Sequence, residues 1–202
     1  MYQEGNSLSS HGYAGSSREP EISTNPTHGM LQDLYQVFQN YYKITNPTSI
    51  TEDLGQIITN GTAYSVVDGS YDPRKLLGTA CWVLTEDSHR IKGAAQAPGS
   101  LEEMYPYMAE LFGIYCLLLF IKLYREFYEI NSGKVELACD CLSAVTKSLM
   151  NDRLSKVSAK HHDLLLAIYE LRTKSPITLD LRQVYGHQDT KNRPLDKWEQ
   201  LN

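Results

Sequence analysis

Cysteine is sparse in this chain, four in 202 residues, and no two stand in a CxxC pair. Cys81, Cys116, Cys139 and Cys141 are scattered through apolar runs. That pattern reads as buried free thiols in a reducing compartment and leaves little room for disulfides or zinc. Long apolar runs are missing as well. The opening stretch MYQEGNSLSSHGYAGSS lacks the apolar core of a secretory signal. The uncharged run from Leu111 to Ile121 ends at Lys122, short of the about 20 residues that cross a bilayer. The expected location is therefore the cytoplasm or nucleus, with no membrane partner. Positive charge is also in short supply: 19 Lys and Arg face 24 Asp and Glu, for a formal net charge of −5. A polyanionic partner would then be held by basic residues clustered on one face, or by another part of a longer polypeptide. No internal repeat is visible.

The chain is 42% hydrophobic and 21% charged, enough to bury the core of one domain of about 140 residues with an appendage. Residues 1–27 are rich in Ser, Gly, Asn, Glu and Pro without periodic apolar positions, which predicts a disordered linker. Leu31, Leu34, Tyr35, Phe38 and Tyr42 recur at helical spacing. Ser49 with Glu52 forms a capping-box pattern that opens a second short helix through Ile58, closed by Asn60-Gly61. Residues 28–60 thus read as a short helical connecting segment whose helices pack against the domain or belong to a region upstream of it, and 61–202 as the main domain.

Within that domain the pattern predicts strands over 63–69, 76–85 and 90–97, a long helix over 106–130, a strand over 134–140, helices over 141–150 and 158–173, and a strand over 177–184. Pro106 suits the first turn of the long helix and Gly133 supplies a stop after it. Three strands joined by short turns, followed by helix-separated strands, imply an α/β fold: a mixed five-stranded sheet flanked by helices.

Three acidic residues stand out. Asp68 closes the run AYSVVDGS and Asp140 closes KVELACD; each follows a stretch with strand character and precedes small or polar residues. Neighbouring strands would bring both to one sheet edge. Glu110 interrupts an apolar helical face in YMAELFGIYCLLLFIKLY, where a carboxylate is costly to bury unless paired or metal-bound. Together they would make an oxygen-only cage suited to a hard ion such as Mg²⁺. Each has a plain alternative: Asp68 as a turn residue with Gly69, Asp140 as a helix N-cap. His187, in the polar loop GHQDTKNRP, titrates near neutrality and suits proton transfer, or is simply exposed. His161 and His162 read as surface residues, since adjacent histidines do not share a helical face.

From Asp68 to Glu110 is 42 positions (110 − 68), and from Glu110 to Asp140 is 30 (140 − 110). That order and spacing resembles the ribonuclease H family. TAYSVVDGSYDPRKLLGTACWVL looks like its first hairpin, YPYMAELFGIYCLL like its first long helix, ELACDCLSAV like its fourth strand and following helix, and VYGHQD like its fifth strand and histidine loop. The resemblance covers about residues 60–202, and GHQD followed by LDKWEQLN looks closest to the ribonuclease H domains of retroelement reverse transcriptases. It implies a nuclease cutting the RNA strand of an RNA/DNA hybrid with two Mg²⁺ ions, for which Mn²⁺ can substitute. Asp68 would bridge the ions, with Glu110 and Asp140 completing their shells and His187 assisting proton transfer or product departure. The remainder of a reverse transcriptase polypeptide becomes the expected partner.

The family's last carboxylate lies on a helix after the histidine loop, where this sequence has only DKWEQLN. Asp196 is the candidate fourth ligand and Asp189 a weaker one; the expectation is a domain truncated at this C-terminal helix. Two other classes remain open. An integrase-like polynucleotidyl transferase would place its glutamate after both aspartates rather than between them. A non-catalytic module would grip hybrid or space a polyprotein without cutting.

Overall fold

The computed structural model describes residues 52–86, 89–98, 105–150, 161–186, 194–198 and 200–201. The helical pattern from Leu31 to Tyr42, and the linker before it, lie outside the described residues.

Helix α1 (Glu52–Asn60) ends as Asn60-Gly61 predicts. Gly61 adopts φ +75°, and the Gly61 and Thr62 N–H groups donate back to the Ile58 and Ile57 carbonyls at 3.0 and 3.1 Å. This is a Schellman closure, which satisfies carbonyls that the helix end leaves open. Leu54, Ile57 and Ile58 are buried in the main hydrophobic cluster, so this helix packs against the domain and shares its core.

Strands β1 (Ala63–Asp72), β2 (Leu77–Glu86) and β3 (His89–Gln96) form an antiparallel meander. Helix α2 (Pro106–Phe127) leads to β4 (Lys134–Cys139), then α3 (Leu142–Leu149), α4 (His162–Thr173) and β5 (Thr178–Gln183). The protein is α/β, with a five-stranded mixed sheet in the order β3-β2-β1-β4-β5, in which β4 runs parallel to both β1 and β5.

Alternation along the strands sorts side chains onto two faces. On one, Ala63 and Val67 of β1, Trp82 and Leu84 of β2, and Val135, Leu137 and Cys139 of β4 join the buried residues of α1, α2, α3 and α4. At the centre Trp82 meets Phe120 at 4.7 Å between ring centroids, and its indole lies against Gly93, where a Cβ would collide with the ring. On the other face, Val66, Ala138 and Val184 pack with Trp198. Lys197 lies 4.5 Å over the Tyr64 ring and Arg182 lies 5.1 Å over Trp198, so cation–π contacts help hold this segment to the sheet.

Among the described residues α2 alone is long and apolar enough to cross a membrane, yet 67% of its apolar window is buried in the fold. A leucine or isoleucine so buried contributes about 1.5–3 kcal/mol, which accounts for an apolar helix inside a globular core. The helix stops three residues before the expected 130. Glu129 takes φ +55° and the Ile130 N–H reaches back to the Arg125 carbonyl at 2.9 Å, so this end closes without glycine. Gly133 serves the approach to α1 instead: at φ +138° it lies where a Cβ would collide with the Ile58 carbonyl.

Candidate functional site

β1 is paired on both sides only along its first half. Its register with β4 ends at Val67↔Cys139, whereas its register with β2 continues to Asp72↔Leu77. Asp68 and Asp140 are the next residues on each strand, so the two aspartates flank the point where β1 and β4 part. The alternative of a turn at Asp68-Gly69 does not hold: β1, expected over 63–69, runs on to Asp72 and the turn follows at 73–76. Asp68 is therefore a mid-strand, exposed carboxylate rather than a turn residue. Asp140 is not a cap either, for Cys141 occupies the N-cap position of α3.

Glu110 enters from above. Gly69 touches the α2 backbone so closely that a Cβ there would collide with the Glu110 nitrogen and the Ala109 carbonyl carbon. This contact needs glycine for space rather than for its dihedral freedom. Glu110 is 6% exposed, the one charged residue among the buried polar groups of the described structure. Burial is the largest cause that pushes its carboxyl up to about 8, followed by the negative charges of Asp140 and then Asp68. A backbone hydrogen bond at Gly69 and the Cys139 thiol offset part of that.

Cys139 Sγ donates to Glu110 Oε2 at 3.5 Å in a buried setting. Ligand atoms of Glu110, Cys139 and Asp140 all lie within 4.8 Å of one another, a spacing that can hold a metal ion. Burial first, and the Glu110 charge second, push the Cys139 thiol well up. On the β5 side, Gly186 abuts the Asp140 carboxylate so tightly that a Cβ would overlap it.

Other side chains ring the site. Cys81, opposite Asp68 in the β1–β2 register, is an exposed thiol raised by partial burial and then by the charges of Asp68 and Glu110. Tyr107 is pushed up to about 12 by burial, with Cys141 and Tyr105 adding to it. His161 sits at φ +59° immediately before α4, so this helix begins at His162. Its Nε2 lies 2.6 Å from the Tyr105 hydroxyl, and its ring packs against Tyr105 and Tyr107. Both histidines are half-buried rather than surface residues, and His162 Nδ1 is buried without a hydrogen-bond partner.

The structure thus brings Glu110 and Asp140 together, with Asp68 electrostatically coupled to Glu110. His187 and Asp189 lie outside the described residues. Asp196 caps a turn: its Oδ1 accepts the Trp198 N–H at 2.8 Å and its carbonyl accepts the Gln200 N–H at 3.0 Å. Sequence reasoning treated the cysteines as inert core and gave Gly186 no role. The signal was Cys-Asp-Cys at 139–141, which puts a thiol on each side of the candidate aspartate. No protein-family model matches this chain, and no curated protein matches it.

Proposed function

We propose that the protein is an endonuclease of the ribonuclease H type that hydrolyses the RNA strand of RNA/DNA hybrids, as part of a retroelement reverse transcriptase polypeptide inside the cell. The carrying observation is that buried Glu110, seated on α2 against Gly69, has a ligand atom within 4.8 Å of one on Asp140, at the gap between β1 and β4 where Asp68 also stands. The sheet order β3-β2-β1-β4-β5 and the position of α2 across that gap also favour this reading.

Oxygen donors of this kind suit hard divalent ions. Asp68, Glu110 and Asp140 offer oxygen ligands, and a cation between them would offset the burial and the neighbouring charges that together hold a proton on Glu110. Asp68, Glu110 and Asp140 would hold the ions, and His187 would move a proton. When bound, Mg²⁺ supplies water activation and neutralises charge developing on the phosphate and the leaving 3′ oxygen. Glu110 and the Gly69-Ser70 backbone, beyond the last β4 pairing, contact the 2′-hydroxyls that mark the RNA strand. Recognition is therefore by shape rather than base sequence.

The test is cleavage of end-labelled RNA/DNA hybrid beside RNA/RNA and DNA/DNA duplexes, in Mg²⁺, in Mn²⁺ and in chelator. Cuts confined to the RNA strand of the hybrid, and only with metal, are expected. Intact hybrid in both metals removes the catalytic reading in favour of a binding module.

A further inference from the structure

We propose that Glu110, Cys139 and Asp140 form a site for a thiophilic divalent cation of the Zn²⁺ class, which competes with the hard ion for the carboxylates and blocks cleavage. The site rests on geometry; only its consequence, inhibition, rests on the nuclease reading.

The decisive feature is a sulfur where an all-oxygen centre has no need of one. Zinc binds thiolate at about 2.3 Å and carboxylate at about 2.1 Å, and a tetrahedral angle between them sets sulfur and oxygen about 3.6 Å apart. Cys139 Sγ and Glu110 Oε2 stand at 3.5 Å. All three donor atoms fall within 4.8 Å, so a modest swing of the half-buried Asp140 carboxylate closes the third bond. Water fills a fourth position.

Sulfur is a poor ligand for Mg²⁺ and a good one for zinc, so the same pocket sorts ions by which donors they recruit. Binding breaks the S–H bond and forms a metal–sulfur bond. The thiol proton, and any proton on the Glu110 carboxyl, leave to solvent, the hydrogen bond from Sγ to Glu110 is replaced by two metal bonds, and no electron changes hands. Cys81 and Cys141 are not part of the mutually close set, although both lie beside it.

Co²⁺ takes the same ligands and is visible, so it is the probe. Titrating the full chain should raise a sulfur-to-cobalt charge-transfer band that saturates at one ion per chain and is displaced by Zn²⁺. The band should persist in a Cys81→Ala/Cys141→Ala variant and vanish in Cys139→Ser, and Glu110→Gln should weaken Co²⁺ binding about tenfold or more. No band in the wild type, or an unchanged band in Cys139→Ser, overturns the proposal. If Cys139→Ser melts early, the double variant and Glu110→Gln decide: loss of the band in the former, or unchanged affinity in the latter, overturns it. Zn²⁺ inhibition of Mg²⁺-supported cleavage separates the two readings. A band without any cleavage leaves this site standing and removes the nuclease; cleavage without a band does the reverse.

Discussion

The two halves of β1 belong to one strand and do opposite work. Ala63–Val67 pairs with β4 on one side and β2 on the other; four of its five residues are buried and its hydrogen-bonding capacity is used on both sides. Asp68–Asp72 keeps only β2, and all five of its residues are half-buried or exposed. The first half stabilises the sheet. The second half leaves a gap because β4 ends at Cys139 and the chain turns away into α3. Charged groups collect where pairing stops, since only there do water and ligands reach the strand.

Asp68→Asn should break that contrast most sharply. It removes one charge from the open half, so hybrid cleavage should fall by at least about a hundredfold. The melting temperature without metal should hold or rise, because Glu110 loses a repelling neighbour. Wild-type cleavage rates in this variant would end the catalytic assignment.

Gly69→Ala should damage both halves. The added methyl meets the α2 backbone at Ala109 and Glu110, which cannot move as a flexible side chain would. A loss of about 1–3 kcal/mol in denaturant unfolding is expected, together with weaker Mg²⁺ binding as Glu110 is displaced. An alanine variant as stable as wild type would mean that α2 sits farther from β1 than described.

Val67→Ala is the counterpart one residue before Asp68. Deleting two buried methyl groups should cost about 2 kcal/mol, with cleavage well below the melting point changed less than twofold. Equal unfolding midpoints would show that this half of the strand is less tightly packed than its burial implies.

A further effect concerns pH. Glu110 holds a proton in the folded chain up to about 8, whereas an unfolded glutamate loses it near its ordinary 4.5. Within that window the folded state binds the extra proton, so metal-free stability should fall as pH rises. Melting in chelator from pH 5 to 8 should show this slope, and Glu110→Gln should flatten it. Saturating Mg²⁺ should also flatten it by favouring the ionised form. A slope unchanged in Glu110→Gln would assign it elsewhere.

By itself the amino-acid order determined where the elements lie. Strand and helix periods are local, and Pro106, Asn60-Gly61 and the run ending at Asp140 carry their own boundary signals within a few residues. It also marked Glu110, because one carboxylate on an apolar helical face is visible without coordinates. Only the tertiary structure decided that β1 continues past Asp68 while its β4 pairing does not, that α1 belongs to the core, and that Glu129 closes α2. It alone set Cys139 against Glu110 and Gly186 against Asp140. Such contacts depend on which strands become neighbours and how far each runs, a matter of register between segments distant in sequence. No local period encodes it.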